Sequence, residues 1–256
     1  MTPIGSVTIC NNLFLEWTPG APYIEIMAAF RNKRINLERF HKILFMGALA
    51  LAALLLSINH AAAAKASPSF FNSRETRSSN LRPFKKWNSA LRRYSKEAAG
   101  QKEGSCKATV FNKCHYGKWM KFLDGIRDKD PMTQVKEVNR IMNRAPYILD
   151  SNNWGKEDYW ASPGEFLSRN GDCEDYAITK YISLKLLGFK LDQLRVVALK
   201  DLNLKIGHAI LVVFLNGKTY VLDNQIKRVV ESKTIRHYLP IFSINGKNWW
   251  RHRQGG

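Results

Sequence analysis

Acidic residues are scarce in this sequence of 256 residues: Asp and Glu number 21 against 40 Lys and Arg, for a formal net charge of +19. Net charge bears on association and not on fold, so a body this basic suits nucleic acid, an anionic membrane surface or an acidic protein. No recognition-helix, zinc-finger or RNA-binding signature accompanies the charge, which argues against nucleic acid. Internal repeats and low-complexity tracts are missing beyond the first 66 residues, so neither a solenoid nor a long linker is expected there. No uncharged apolar run reaches the ~20 residues that a membrane-spanning helix needs. What the chain does have is a hydrophobic fraction of 45% with 11% aromatics, enough to bury a core in one domain with appendages.

The longest apolar run, ILFMGALALAALLLSI from Ile43 to Ile58, follows the basic cluster RNKRINLERFHK and precedes HAAAAKAS. Basic, apolar, then small is the layout of a secretory signal peptide, with cleavage after Ala64 or Ala66 and release into the periplasm; a retained anchor is the alternative. Export also removes the occasion for nucleic-acid binding. Residues 1–26, with Cys10 and Trp17, are no part of such a signal. Met27 would begin a conventional one, so residues 1–26 are read as reflecting a start assigned too far upstream, and residues 1–66 together as an N-terminal extension plus signal peptide.

Residues 67–80, rich in Ser, Asn and Arg, read as a flexible leader, and the folded domain is expected over residues 81–256. Cys106 and Cys114 flank a short polar segment; in an oxidising compartment a local disulfide suits them, the other reading being two unrelated thiols.

Asp130-Pro131 predicts a helix start, a capping side chain followed by proline at the first helical position, with Val135, Val138, Ile141 and Met142 as its apolar stripe. Pro146 stops that helix at about residue 144. Ser162-Pro163-Gly164-Glu165 has capping-box spacing and predicts a short helix to about Arg169. Asn170-Gly171 breaks it, and Asp172 opens another through CEDYAITKYISLKLL to Gly188, with Cys173 in its first turn and Ala177, Tyr181 and Leu184 on the core side. The runs 194–199 and 208–215 suit strands. Asn216-Gly217 is a strong hairpin signal, and a two-residue loop there sets Ile210 opposite Asp223. His208 and Asp223 are then same-face diagonal neighbours, about 7–8 Å apart at the backbone and within reach of an imidazole–carboxylate hydrogen bond.

A thiol in the first turn of a helix beside an imidazole is activated through the helix dipole and ion pairing. Cys173 would be the nucleophile, His208 its base and then acid, and Asp223 the group that fixes the ring tautomer, with the Cys173 N–H as an oxyanion donor. Taken singly, each residue also has an ordinary structural reading: core thiol, strand histidine, turn-capping aspartate. Asp172 and Glu174 beside the thiol oppose its activation. A bound calcium ion would resolve the conflict, with Asp175, Asp150, Asn152 and Asn153 completing its shell; otherwise Asp172 caps the helix and the rest are solvated.

The blocks YWASPGEFLSRNGDCEDYAITKYISLKLLG, GHAILVV, YVLDNQ and PIFSINGKNWW resemble the bacterial transglutaminase-like cysteine proteinase family over roughly residues 119–250. The resemblance implies an α+β fold of transglutaminase-like and papain-like type, its nucleophile helix packed on an antiparallel sheet. It implies a Cys173–His208–Asp223 triad and calcium held by Asp172 and Glu174, to which the reading of the residues above adds Asp175. The implied substrate is a large adhesin-like surface protein cut near its N-terminus at a small-residue site, with control of attachment or biofilm as the outcome. The implied regulator is an inner-membrane cyclic di-GMP receptor. Trp160 takes an oxyanion role by analogy with transglutaminases, though with Trp249 and Trp250 it reads better as a core or rim aromatic. Two other functions fit the same residues: a protein-glutamine amide transferase, because an amine can resolve the acyl-thioester, and a non-catalytic envelope binding protein that docks by its basic surface.

Overall fold

The computed structural model describes Cys10 and residues 70–254; the segment read as a signal peptide lies outside the described residues. The strands are β1 (Ser73–Ser78), β2 (Leu194–Asp201), β3 (Ile206–Leu215), β4 (Lys218–Leu222), β5 (Val230–Glu231), β6 (Tyr238–Ile244) and β7 (Trp249–Gln254). They form one antiparallel sheet in the order β1-β7-β6-β2-β3-β4-β5. The helices are α1 (Lys85–Ala99), α2 (Lys113–Asp124), α3 (Pro131–Met142), α4 (Asp150–Asn153), α5 (Pro163–Arg169) and α6 (Cys173–Leu186).

The sheet carries a core on each side. Val196, Ala198, Leu211 and Val213 face Ala177, Ile178 and Tyr181 of α6, while Val197, Leu199, Ile210 and Val212 pack with Phe70, Phe214 and Tyr238 on the other side. Burial on both faces explains why HAILVVFL is apolar throughout and does not alternate as a half-exposed strand would. Asn216 and Gly217 both take positive φ, 52° and 74°, as a tight two-residue hairpin turn requires. Leu215 therefore pairs with Lys218 and Leu211 with Leu222, the register expected from the turn, and Asp223 follows directly after the last pair.

The caps form as their sequences direct. The Asp130 side chain accepts the Thr133 N–H ahead of Pro131, and Ser162 and Glu165 complete a capping box around Pro163. Helix α6 is buried along almost its whole length, Thr179, Lys180 and Ser183 included. Ser183 tolerates burial because its hydroxyl accepts the Trp119 indole N–H at 3.0 Å and donates to the Thr179 carbonyl at 2.8 Å.

The leader reading of residues 67–80 is corrected: Phe70 is buried, and Ser73–Ser78 form β1, an edge strand of the sheet paired with β7. Its inward side chains are polar and find partners across the sheet. Ser73 bonds the His252 ring at 2.8 Å, and Glu75 accepts from Arg195 at 2.8 Å. Cys106 and Cys114 are joined in a disulfide with Cα atoms 5.2 Å apart, next to the Asn112 cap of α2.

Candidate active site

Helix α6 begins at Cys173 because Asn170-Gly171 lets the chain turn back on itself: Asn170 has φ 63°, and a side chain at Gly171 would collide with Asp175, whose Cγ lies 2.8 Å from where a Cβ would stand. Asp175 reaches back from the first turn to accept the Asp172 N–H at 3.3 Å and also takes the Ala161 N–H at 2.6 Å, tying the helix tip to the loop before α5. The Cys173 sulfur thus meets the start of β3, where the Ala209 N–H points at it from 3.2 Å.

Strand β3 delivers His208 to the same point: a His208 ring nitrogen and the Cys173 sulfur lie within 4.8 Å of each other. His208 Nε2 is 2.9 Å from Asp223 Oδ1, which leaves Nδ1 as the ring nitrogen that can serve the sulfur. Cys173, His208 and Asp223 are all buried, and the three residues expected to act together do come together. Asp223 is anchored from several sides. Gln225 gives Oδ1 its backbone N–H at 2.9 Å, the Tyr238 hydroxyl donates to Oδ2 at 2.6 Å, and Asn143 holds the Asp223 carbonyl at 2.7 Å. Burial alone would raise the Asp223 pKa, but the His208 and Tyr238 hydrogen bonds outweigh it and hold the carboxyl below its ordinary value. Lys180, one face of α6 further along, is fully buried with no hydrogen-bond partner for Nζ. Burial pushes its pKa down to about 7, opposed by the Asp223 charge.

The sulfur of Cys173 is joined to that of Cys10 in a disulfide, with Cα atoms 6.3 Å apart. The Cys10 N–H donates to the Gly207 carbonyl at 3.2 Å, and Glu174 Oε2 lies 3.0 Å from Cys10 Sγ and 3.4 Å from Cys173 Sγ. In this form the Cys173 sulfur is covered.

Beside the thiol, carboxylates from three segments converge. Oxygens of Asp150, Asp172 and Asp175 approach within 4.8 Å of one another, as do those of Asp150, Asp158 and Glu174. The segment before α4 is laid along this point by a parallel bridge between Tyr147 and Gly171. Both oxygens of Asp172, Oε1 of Glu174 and Oδ1 of Asp150 have no hydrogen-bond partner. Burial, then neighbouring negative charge, pushes Asp172 up to about 7 and Glu174 and Asp175 well above the carboxylate range; burial first, with Asp158 adding to it, pushes Asp150 up to about 6. Orphaned, crowded, hard oxygen donors are what a calcium ion requires. Asn152 is exposed and the Asn153 amide N–H bonds the Asn170 carbonyl at 3.3 Å; the loop carboxylates that join the cluster are Asp150 and Asp158.

Sequence reasoning missed Asp158, Tyr238 and the Ala209 N–H. Asp158 stands five residues beyond Asn153, and its acidity was the available signal; Tyr238 and Ala209 carry none that is local. The Trp160 indole N–H is donated to Asp158 Oδ1 at 3.0 Å, which directs it to the acidic cluster and away from an oxyanion. Trp160 and Trp250 are buried and Trp249 is half-buried, the core and rim positions expected of them.

The family model described as bacterial transglutaminase-like cysteine proteinase matches residues 104–255. Among solved structures, LapG of Legionella pneumophila is similar at 25% identity and a TM-score of 0.51, over 63% of this chain and 87% of that one. Its calcium-bound form gives 26% identity and a TM-score of 0.52 over the same shares. Its EGTA-treated form gives 25% and 0.51 over 63% of this chain and 84% of that one. The fold is thus that of a transglutaminase-like protease. The sequence has no match among curated proteins.

Proposed function

Since this chain belongs to the bacterial transglutaminase-like cysteine proteinase family and is a cysteine protease, we propose that Cys173 is its nucleophile, His208 its general base and acid, and Asp223 the group that orients the imidazole. The observation that carries this reading is the His208 ring, within reach of the Cys173 sulfur on one side and 2.9 Å from Asp223 on the other. His208 Nδ1 takes the thiol proton and the thiolate attacks the scissile carbonyl. The imidazolium, held by Asp223, then protonates the leaving amine, and water resolves the acyl-enzyme.

The acidic cluster is read as a calcium site held by Asp172 and Glu174, with Asp175, Asp150 and Asp158 around them. Calcium would supply positive charge where ionised carboxylates crowd the thiol, removing their opposition to thiolate formation. The partnerless oxygens of Asp172 and Glu174 support this, as does the calcium-bound form of the similar LapG.

The basic–apolar–small order of residues 31–66 supports export, and the Cys106–Cys114 disulfide suits an oxidising periplasm. The substrate is read as a large adhesin-like surface protein, and the regulator as an inner-membrane cyclic di-GMP receptor. The test is incubation of the protein lacking residues 1–66 with an adhesin N-terminal linker. Wild type cuts it, whereas Cys173→Ala and chelator-treated protein do not; equal cleavage by all three would refute the proposal.

A further inference from the structure

We infer that Tyr238 is a positioning residue of the proteolytic reaction, holding Asp223 so that one carboxylate oxygen stays on His208. The inference rests on the triad assignment above and adds a fourth member to it.

A carboxylate can turn about its Cβ–Cγ bond, since that torsion is broad and two-fold. A carboxylate that orients an imidazole has to be stopped from turning. Oδ1 of Asp223 receives two donors, the His208 ring and the Gln225 N–H, each at 2.9 Å. Oδ2 is met by the Tyr238 hydroxyl at 2.6 Å, a bond between two buried groups, one at the start of β6 and the other just past the end of β4, strands that are not neighbours in the sheet. Burial and the adjacent Asp223 charge keep the phenol protonated far above its ordinary range, so it is a donor at every pH at which the enzyme works. The phenol ring is itself fixed. It stands edge-on to His208 with centroids 5.8 Å apart, and Phe71 and His237 flank it at 5.9 and 4.6 Å. Tyr238 therefore touches both the carboxylate and the imidazole, and it sets their mutual angle.

Lys180 of α6 and Asp201 of β2 are the other charged groups acting here. Lys180 acts on Asp223 and Asp201 on Tyr238, by charge and without a hydrogen bond to the carboxylate. Neither can stop it from turning. Without the hydroxyl, Oδ2 is a partnerless buried oxygen, and rotation of the carboxylate toward another donor would take Oδ1 off the imidazole.

The test uses iodoacetamide on the reduced full chain, with alkylation of Cys173 followed by mass spectrometry of its peptide and the thiolate absorbance recorded in parallel. Tyr238→Phe keeps the ring and removes the donor; it should slow alkylation roughly tenfold and lower the thiolate signal at neutral pH. In an Asp223→Ala background the same change should have no further effect, because the hydroxyl acts only through that carboxylate. An equal slowing in both backgrounds, or none in either, would overturn the inference. Tyr238→His, which retains a ring and an N–H donor, is the second variant and should stay within about threefold of wild type; a rate as low as that of Asp223→Ala would overturn the inference even where Tyr238→Phe does not fold. If His208→Ala leaves the alkylation rate unchanged, the triad itself fails. If His208→Ala abolishes fast alkylation and Tyr238→Phe does not slow it, the inference about Tyr238 alone fails.

Discussion

His208 Nε2 and Asp223 Oδ1 lie 2.9 Å apart because one two-residue turn, Asn216-Gly217, sets the register of the hairpin that carries both. The pair is built into the backbone and does not depend on a flexible loop closing. Asp223→Asn retains the shape but presents an amide to the ring, which favours the wrong imidazole tautomer. Cleavage should fall by about 10²–10⁴ while the fold is kept. Steady-state cleavage measured alongside thermal unfolding checks this, and a variant with near-normal turnover would show that Asp223 has no part in orienting His208.

Much of this site could be read from the chain, and the reasons differ residue by residue. The hairpin and the start of α6 were legible because each is specified locally: Asn-Gly dictates a turn with both φ positive, and Asn170-Gly171-Asp172 ends one helix and opens the next. Strand β1 was not, because SRETRS has no apolar alternation. Its inward positions are satisfied by Arg195 and His252, more than a hundred residues away. The burial of α6 from Cys173 to Leu184 was hidden for the same reason, since Lys180, Thr179 and Ser183 look like a solvated face until Trp119 and the sheet close over them. Tyr238 reaches Asp223 across the face of the sheet from a strand that is not its neighbour, and no spacing rule relates the two positions. Asp158 was overlooked in favour of Asn152 and Asn153. The three residues of the proposed triad thus followed from short-range signals and the fold class from the family resemblance, while the groups that hold those three in place come from long-range packing.

The acidic cluster makes a prediction with a definite sign. Asp150 and Asp172 are pushed up to about 6 and about 7 from an ordinary value of 3.8. A carboxyl whose folded pKa is raised contributes stability that is complete below its unfolded pKa and is lost as pH rises through the folded one. Metal-free protein should therefore lose stability steadily between about pH 4 and pH 8. Calcium binds the ionised form, releases protons and gains affinity over the same interval. Melting temperatures in EGTA should fall with pH while those in excess calcium hold steady, so the gap widens with pH. Asp172→Asn should narrow that gap. Parallel curves with and without calcium would mean that these carboxylates bind no cation.

The Cys10–Cys173 disulfide concerns the state of the proposed nucleophile. A sulfur held in a disulfide is no thiolate, and the Cys10 N–H to Gly207 bond places that residue's backbone against the strand that carries His208. The oxidised full chain should resist iodoacetamide at Cys173 until a dithiol reductant exchanges with the bond, taking up the disulfide itself and leaving two protein thiols. A chain beginning at Ser67 lacks Cys10 and should alkylate at Cys173 without any reductant. Cys10→Ser in the full chain should behave like the shortened one, which separates loss of the disulfide from loss of the preceding residues. Mass spectrometry of the Cys173 peptide, with the Cys106–Cys114 pair as an internal marker of oxidation, distinguishes these states. Equal alkylation of the oxidised full chain and the Cys10→Ser variant would mean that Cys10 does not cover the nucleophile, and latency, if seen, would then have to come from burial of the site alone.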